Sequence, residues 1–269
     1  MYASDFEYAG MALSDYEMMI CTFNRAGQET VSSGADLSFR TVKPAGSDLF
    51  RFYGASYAEF YTCTFQICRL FCHGDTPYLE PERISALQRW LCRKDGYHPF
   101  RVIQDDLKDV FWNATFSSKQ IHSDGRPVGL ELTLCTDSPY AYVKSVPVSH
   151  SFTPGTAFSL FDLSDETGSI YPVVKITCKG SGKIQLQNSL DRKTVKLTGV
   201  SADETITLDG KNKIISSSLS RKDLPDHFNF YFPRIINTID TRENIFTLSA
   251  DSVPCDITFI YNPIISTGL

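Results

Sequence analysis

The chain has 269 residues, 42% apolar and 21% charged, with 26 Lys and Arg against 31 Asp and Glu for a net charge of −5 at pH 7. That length is too great for one small domain and comfortable for two, and the balance of apolar and charged residues excludes a disordered chain. No apolar run approaches the roughly 18 residues of a bilayer-spanning helix, and neither half has the cationic excess of a nucleic-acid-binding surface, with 14 Lys and Arg against 18 Asp and Glu in residues 1–145 and 12 against 13 in residues 146–269.

The chain begins Met1-Tyr2-Ala3-Ser4-Asp5 with Glu7 close behind, an acidic start without the apolar core of a secretory signal. Synthesis and assembly are therefore expected in a cytoplasm. Between Arg25 and Glu59 the pattern weakens. Gly27, Gly34, Pro44, Gly46 and Gly54 punctuate two short apolar pieces, Leu37-Ser38-Phe39 and Phe50-Arg51-Phe52. These make either a long hairpin reaching away from its domain or surface loops. Tyr61, Cys63, Phe65 and Ile67 then alternate with Thr62, Thr64 and Gln66, the period of a half-buried strand.

A helix is predicted from about Tyr78 to Lys94. Ile84, Leu87 and Leu91 fall at i, i+3 and i+7 with Trp90 beside them, one apolar stripe that faces the core rather than a partner. Pro81 suits the first turn and Glu80 and Glu82 complement its dipole. Arg89, Arg93 and Lys94 are placed in the last turn, and Gly96 can take the left-handed position that follows. From Gly125, Leu130, Leu132 and Leu134 alternate with Glu131, Thr133 and Cys135 until Asp137-Ser138-Pro139 ends the strand.

A junction runs from Tyr142 to about Pro154, through Pro147, Ser149 and Ser151. It separates a first domain, residues 1–145, from a second, residues 146–269. The second half shows short strands near residues 172–178, 183–187, 194–197, 205–208, 213–216, 228–232, 245–248 and 257–261, with no helical pattern, which reads as a β-sandwich. Asp209-Gly210 is a tight-turn pair, and Phe228, Phe230 and Phe232 are expected on one core-facing side of a strand. The fold class is mainly β in two domains, the first with one α-helix.

No motif carries catalytic chemistry, and no catalytic, cofactor-binding or metal-ligating residue is assigned. Nucleophile-elbow, zincin and dinucleotide signatures are lacking. Lys179-Gly180-Ser181-Gly182-Lys183 has Ile184 where a phosphate loop needs Ser or Thr, and it leads into a strand, so it reads as a turn. His73, His98, His122, His150 and His227 stand in separate segments, each without a neighbouring base partner. Asp105, Asp106 and Asp109 are interrupted by Leu107 and Lys108 and read as a solvated turn rather than a Ca²⁺ loop. The eight cysteines, Cys21, Cys63, Cys68, Cys72, Cys92, Cys135, Cys178 and Cys255, form no Cys-x-x-Cys pair. Structural zinc is thereby disfavoured, and without export all eight read as reduced.

Several passages together resemble the distal tail (Dit) proteins of siphophages. One is Gly125–Tyr142, a strand closing in Asp137-Ser138-Pro139-Tyr140-Ala141 near mid-chain. Before it come Ile84–Leu91, Asp95-Gly96-Tyr97-His98-Pro99-Phe100 and Val110–Phe116. In the second half Gly168-Ser169-Ile170-Tyr171-Pro172, Gly182-Lys183-Ile184, Glu204–Gly210, Asn212 and Tyr261-Asn262-Pro263 look like that family's C-terminal β-sandwich.

The resemblance implies a structural baseplate-hub protein of the virion tail tip, not an enzyme and without a cofactor. Six copies would form a homohexameric ring through their first domains, joining the tail tube protein to the tail-associated tip protein. The channel would pass the tape measure and then DNA without specific binding. An extended arm, sought between Arg25 and Glu59, would wrap the neighbouring subunit. The galectin-like or carbohydrate-module-like second domain would point outward and hold receptor-binding or side-fibre proteins. The alternative is direct binding of host glycans, for which Tyr171, Tyr231 and Tyr261 are the candidate platforms.

Overall fold

The computed structural model describes residues 3–23, 34–57, 59–70 and 76–268. It divides into two compact units, one of residues up to Val143 together with those from Ile265, the other Lys144–Ile264. Both units are built mainly of β-strands, as the residue periodicity predicts.

The first unit contains β1 (Phe6–Tyr8), β2 (Met11–Ala12), β3 (Met18–Cys21), β4 (Leu37–Val42), β5 (Arg51–Tyr57), β6 (Thr62–Arg69), α1 (Pro81–Leu91), β7 (His98–Val102), β8 (Val110–Ser123), β9 (Arg126–Thr136) and β10 (Ala141–Val143). Its main sheet runs β2-β1-β7-β8-β9-β6-β3, with β10 beside β8. Leu130, Leu132 and Leu134 of β9 are fully buried, and Phe65 and Ile67 of β6 pair with Leu132 and Leu130 on the same face. Gly129 is required where β9 passes β6, because a Cβ there would stand 2.5 Å from the Ile67 carbonyl oxygen and 2.7 Å from the Phe23 ring.

Helix α1 covers this sheet with Ile84, Leu87, Trp90 and Leu91, the stripe read from the sequence. Phe6 lies at the centre of the core, its ring 5.3 Å from Phe100, 5.8 Å from Phe65 and 5.9 Å from Trp90. The helix is shorter than the sequence predicts at both ends. Pro81 lacks the N–H of a continuing turn and occupies the first helical position, and the helix stops at Cys92, so Arg93, Lys94 and Gly96 lie beyond it.

The second unit contains β11 (Val148–Phe152), β12 (Ala157–Phe161), β13 (Gly168–Ile170), β14 (Val173–Cys178), β15 (Gly182–Asn188), β16 (Thr194–Val200), β17 (Thr205–Asp209), β18 (Ile214–Ser217), β19 (Ile235–Asn237), β20 (Glu243–Leu248) and β21 (Cys255–Ile260). A last short strand, β22 (Ile264–Ile265), belongs to the sheet of the first unit, where it lies beside β10. Sheets ordered β11-β21-β14-β17-β18 and β12-β20-β15-β16 enclose one core, and the Phe246 and Phe259 rings meet 4.6 Å apart between them. Along β14, β17, β20 and β21 buried residues alternate with more exposed ones, so each sheet gives one face to the core.

Two expectations fail here. The stretch from Tyr142 to Pro154 is not only connector, since β11 within it pairs β21 along its whole length. Residues 228–232 are not a strand. Phe228 and Phe232 are buried as predicted, but Phe230 takes a left-handed backbone (φ +53°) and points outward. The cause is Asn229, whose side chain accepts from Lys196 N at 3.0 Å and donates to the Thr194 carbonyl at 2.8 Å. The Asn229 side-chain amide thus takes up the edge of β16 beside a single bridge, in which Asn229 N–H donates to the Lys196 carbonyl at 3.2 Å, and no ladder longer than this forms.

Candidate functional site

In the first unit β4 and β5 form a two-stranded sheet of their own. Of the two sequence readings, hairpin or surface loops, the hairpin holds for the described residues. Pro44 and Gly46 make the tip. Ser47 N–H donates to the Pro44 carbonyl at 3.2 Å, and Gly46 (φ +77°) takes the position that a type II turn reserves for a residue with positive φ. Lys43 pairs with Asp48 across the turn at 3.0 Å.

The register assigns the two faces. Leu37 opposes Tyr57, Phe39 opposes Ala55 and Thr41 opposes Phe52, which places these six on one side. Ser38, Ser56, Val42 and Arg51 lie on the other. Between Phe39 and Thr41 the pairing slips. Arg40 alone faces Tyr53 and Gly54, and Gly54 absorbs the bulge at φ +120°.

The first face is apolar, and its large side chains are exposed among the described residues of its unit. Phe39 and Phe52 are each 63% exposed, although their rings lie 6.3 Å apart, and Leu37 is more than half exposed; Leu49 and Phe50, between the tip and β5, are also more than half exposed. Soluble monomers rarely leave so many large apolar side chains together in water, so such a face marks a contact surface. At its base the hairpin is tied to the body by the Tyr57 and Tyr140 rings, edge to face at 5.1 Å. Sequence reasoning found Phe39, Phe50 and Phe52 but missed the Tyr140 anchor, because a contact over that separation leaves no local pattern.

In the second unit the three candidate platforms are already engaged. Lys213 Nζ stands 3.3 Å above the Tyr171 ring centroid and 5.0 Å from that of Phe232. The Tyr231 hydroxyl donates to the nearly buried Asp191 carboxylate, which Arg234 also approaches at 3.3 Å. Burial, with Asp191 beside it, pushes the Tyr231 phenol up to about 12, and Lys193 lies 5.3 Å from the ring centroid. Tyr261 is buried, and its phenol is pushed up by that burial and by Asp162.

The other candidates remain apart. Asp105–Leu107 is a single 3-10 turn with Asp109 just past it, and among the described residues no group of three or more His, Cys, Asp or Glu could hold a metal ion. His98 meets Asp95 at 3.0 Å, His122 meets Gln120, His150 stacks on Phe158 at 4.4 Å, and His227 contacts Thr198 and Asp223. His73 and Cys72 lie outside the described residues. Lys179 and Lys183 flank the turn between β14 and β15 and pair with Asp256 and Asp251.

Against known proteins, a family model described as a phage tail protein N-terminal domain matches residues 1–138. A second, described as a phage tail C-terminal domain, matches residues 140–261. No curated protein matches the chain. Among solved structures the chain is similar to SPP1 Dit (gp 19.1), a paradigm of the hub adsorption apparatus in phages that infect Gram-positive hosts. The two align with a TM-score of 0.68 at 13% identity, over 96% of this chain and 98% of that one. At that identity the likeness is one of fold. The chain belongs to the phage tail protein family whose N- and C-terminal domains cover residues 1–138 and 140–261, and it has the fold of a Dit hub protein.

Proposed function

We propose that this protein is a structural hub of the tail tip, made in the host cytoplasm, in which six copies close into a ring through their first units. A ring of identical subunits needs head-to-tail contacts whose rotation closes. The observation that carries the reading is the β4–β5 arm, whose apolar face the described residues of its own unit leave open. A neighbouring copy is the partner that covers it. The ring joins the tail tube to the tail-associated tip protein, and its channel passes the tape measure and then DNA. The net acidic balance of residues 1–145 suits passage without specific binding. The second unit docks receptor-binding or side-fibre proteins through loops at the sandwich ends. The engagement of Tyr171, Tyr231 and Tyr261 by neighbouring side chains favours protein docking over glycan binding, and the assembly carries no catalytic step.

The test combines imaging of intact particles with the double variant Phe39→Ser, Phe52→Ser. The native particle should show six copies around the tail axis. Because both side chains are exposed, the variant should melt like the native chain yet fail to enter particles. A monomeric or two-fold arrangement at the tip would reject the ring, and normal incorporation of the variant would reject the arm as its contact. Specific binding of the second unit to a host-wall glycan, with no tip protein captured, would favour the lectin reading.

A further inference from the structure

The seven cysteines among the described residues are all free thiols, and two of them stand in a special relation. Cys178 near the end of β14 and Cys255 at the start of β21 are direct cross-strand partners in the antiparallel register. Both are fully buried in the core of the second unit. The backbone of Cys178 turns away from β21, its N–H donating to the Glu204 carbonyl at 2.9 Å and its own carbonyl accepting from Asp203 N–H at 2.8 Å. The adjacent pair does bond across the two strands, Lys179 N–H donating to the Pro254 carbonyl at 2.8 Å. Cys178 and Cys255 therefore occupy a non-hydrogen-bonded site, where opposed side chains approach most closely and Cα atoms lie about 4.5 Å apart. That separation falls inside the range a disulfide spans without backbone movement.

We propose that Cys178 and Cys255 are a latent cross-strand disulfide, open in the reducing host cytoplasm and closed when the particle enters an oxidising medium. With hydrogen peroxide as oxidant, one thiol is oxidised to a sulfenic acid with release of water. The second thiol displaces hydroxide from that sulfur, a second water leaves, and the S–S bond forms. Two thiols lose two electrons and two protons, and one peroxide becomes two waters. Burial pushes both thiols up, Cys178 to about 11 and Cys255 to about 12, so the thiolate is scarce and closure is slow. Once made, the bridge encloses about 76 intervening residues of the second unit, a loop long enough for strong stabilisation.

Cys21 and Cys68 provide an internal contrast. They are more accessible and their thiols are hydrogen-bonded, but Cys21 opposes Gln66 while Cys68 opposes Met19. They are thus diagonal neighbours, at about 7–8 Å between Cα atoms, too far for an unstrained bridge. Accessibility alone selects the Cys21–Cys68 pair; geometry selects Cys178 and Cys255.

The experiment uses the purified full chain, reduced and then exposed to a small excess of hydrogen peroxide under native conditions. Remaining thiols are blocked with a maleimide in denaturant and the bridge is located by peptide mass mapping. The reduced chain should take eight labels, one for each cysteine, and the oxidised chain two fewer. The missing labels should map to a Cys178–Cys255 peptide. The melting transition of the second unit should rise by on the order of 10 °C, revert on reduction, and stay unmoved by peroxide in Cys255→Ser. Full labelling of Cys178 and Cys255 after treatment, a bridge elsewhere with none between them, or oxidation of either to a sulfinic acid would overturn the proposal.

Discussion

At the scale of single residues, the two tryptophans separate shape from hydrogen bonding. Both lie in the first core. Trp90 Nε1 donates to the Tyr8 carbonyl at 3.1 Å, whereas Trp112 Nε1 is buried without a partner among the described residues. Replacing either by Phe removes a similar volume, but at position 90 it breaks a hydrogen bond, whereas at position 112 it removes a buried donor that has none among the described residues. Trp90→Phe should therefore destabilise the first unit by about 1–3 kcal/mol more than Trp112→Phe, which can be checked by urea titration of both variants. Equal losses would mean that packing alone decides. The buried Glu204 shows the opposite case, a polar group with partners on both of its oxygens. It accepts from Ser201 N–H at 2.9 Å and Ser217 Oγ at 2.5 Å, with Arg221 at 3.5 Å.

At the scale of elements, the turns of the second unit carry its acid sensitivity. The Asn212 backbone N–H, at 2.9 Å, and its side-chain amide, at 2.8 Å, hold the Asp209 carboxyl below its usual range in the turn between β17 and β18. Lys183 does the same for Asp251, Lys179 for Asp256 and Arg221 for Asp223. A carboxyl whose folded pKa is depressed contributes its full stabilisation above the unfolded value near 3.9 and loses it as pH falls through the folded one. The melting temperature of the second unit should thus be flat with respect to these groups near neutrality and decline below about pH 4. Asp209→Asn should flatten part of that decline, and an unchanged slope would remove this turn from the account. Strands with strict alternation, such as β6 and β9, were legible in the sequence because one face is buried and the other wet. Residues 228–232 alternate just as well and still form no strand, since Asn229 offers the backbone a side-chain partner that alternation cannot reveal. The arm was half legible. Phe39 and Phe52 stood out as two short apolar pieces, of a hairpin or of surface loops, but only the pairing register puts them on one face.

At the scale of the whole molecule, all buried members of the second core lie between Phe152 and Tyr261, so that unit holds the hydrophobic means to fold without the first. A fragment of residues 144–264 should melt cooperatively by circular dichroism. One beginning at Ser151 loses most of β11, bares the edge of β21 and should melt lower; a non-cooperative longer fragment would show that the second unit depends on the first. The arm follows a different rule. A lone two-stranded hairpin is marginally stable in water, and this one carries a bulge, the Phe39–Phe52 rings on its face, the Lys43–Asp48 pair at its tip and the Tyr57–Tyr140 contact at its base. Ordering it draws on the free energy of whatever contact it makes, so part of the binding energy goes into shaping the binder. In the proposed ring, isolated subunits would then associate weakly and reversibly, while a neighbour already fixed on a template would meet an arm that needs to order only once. A marginal hairpin would thus set a concentration threshold, keeping newly made copies apart until a growing tail presents a place for them.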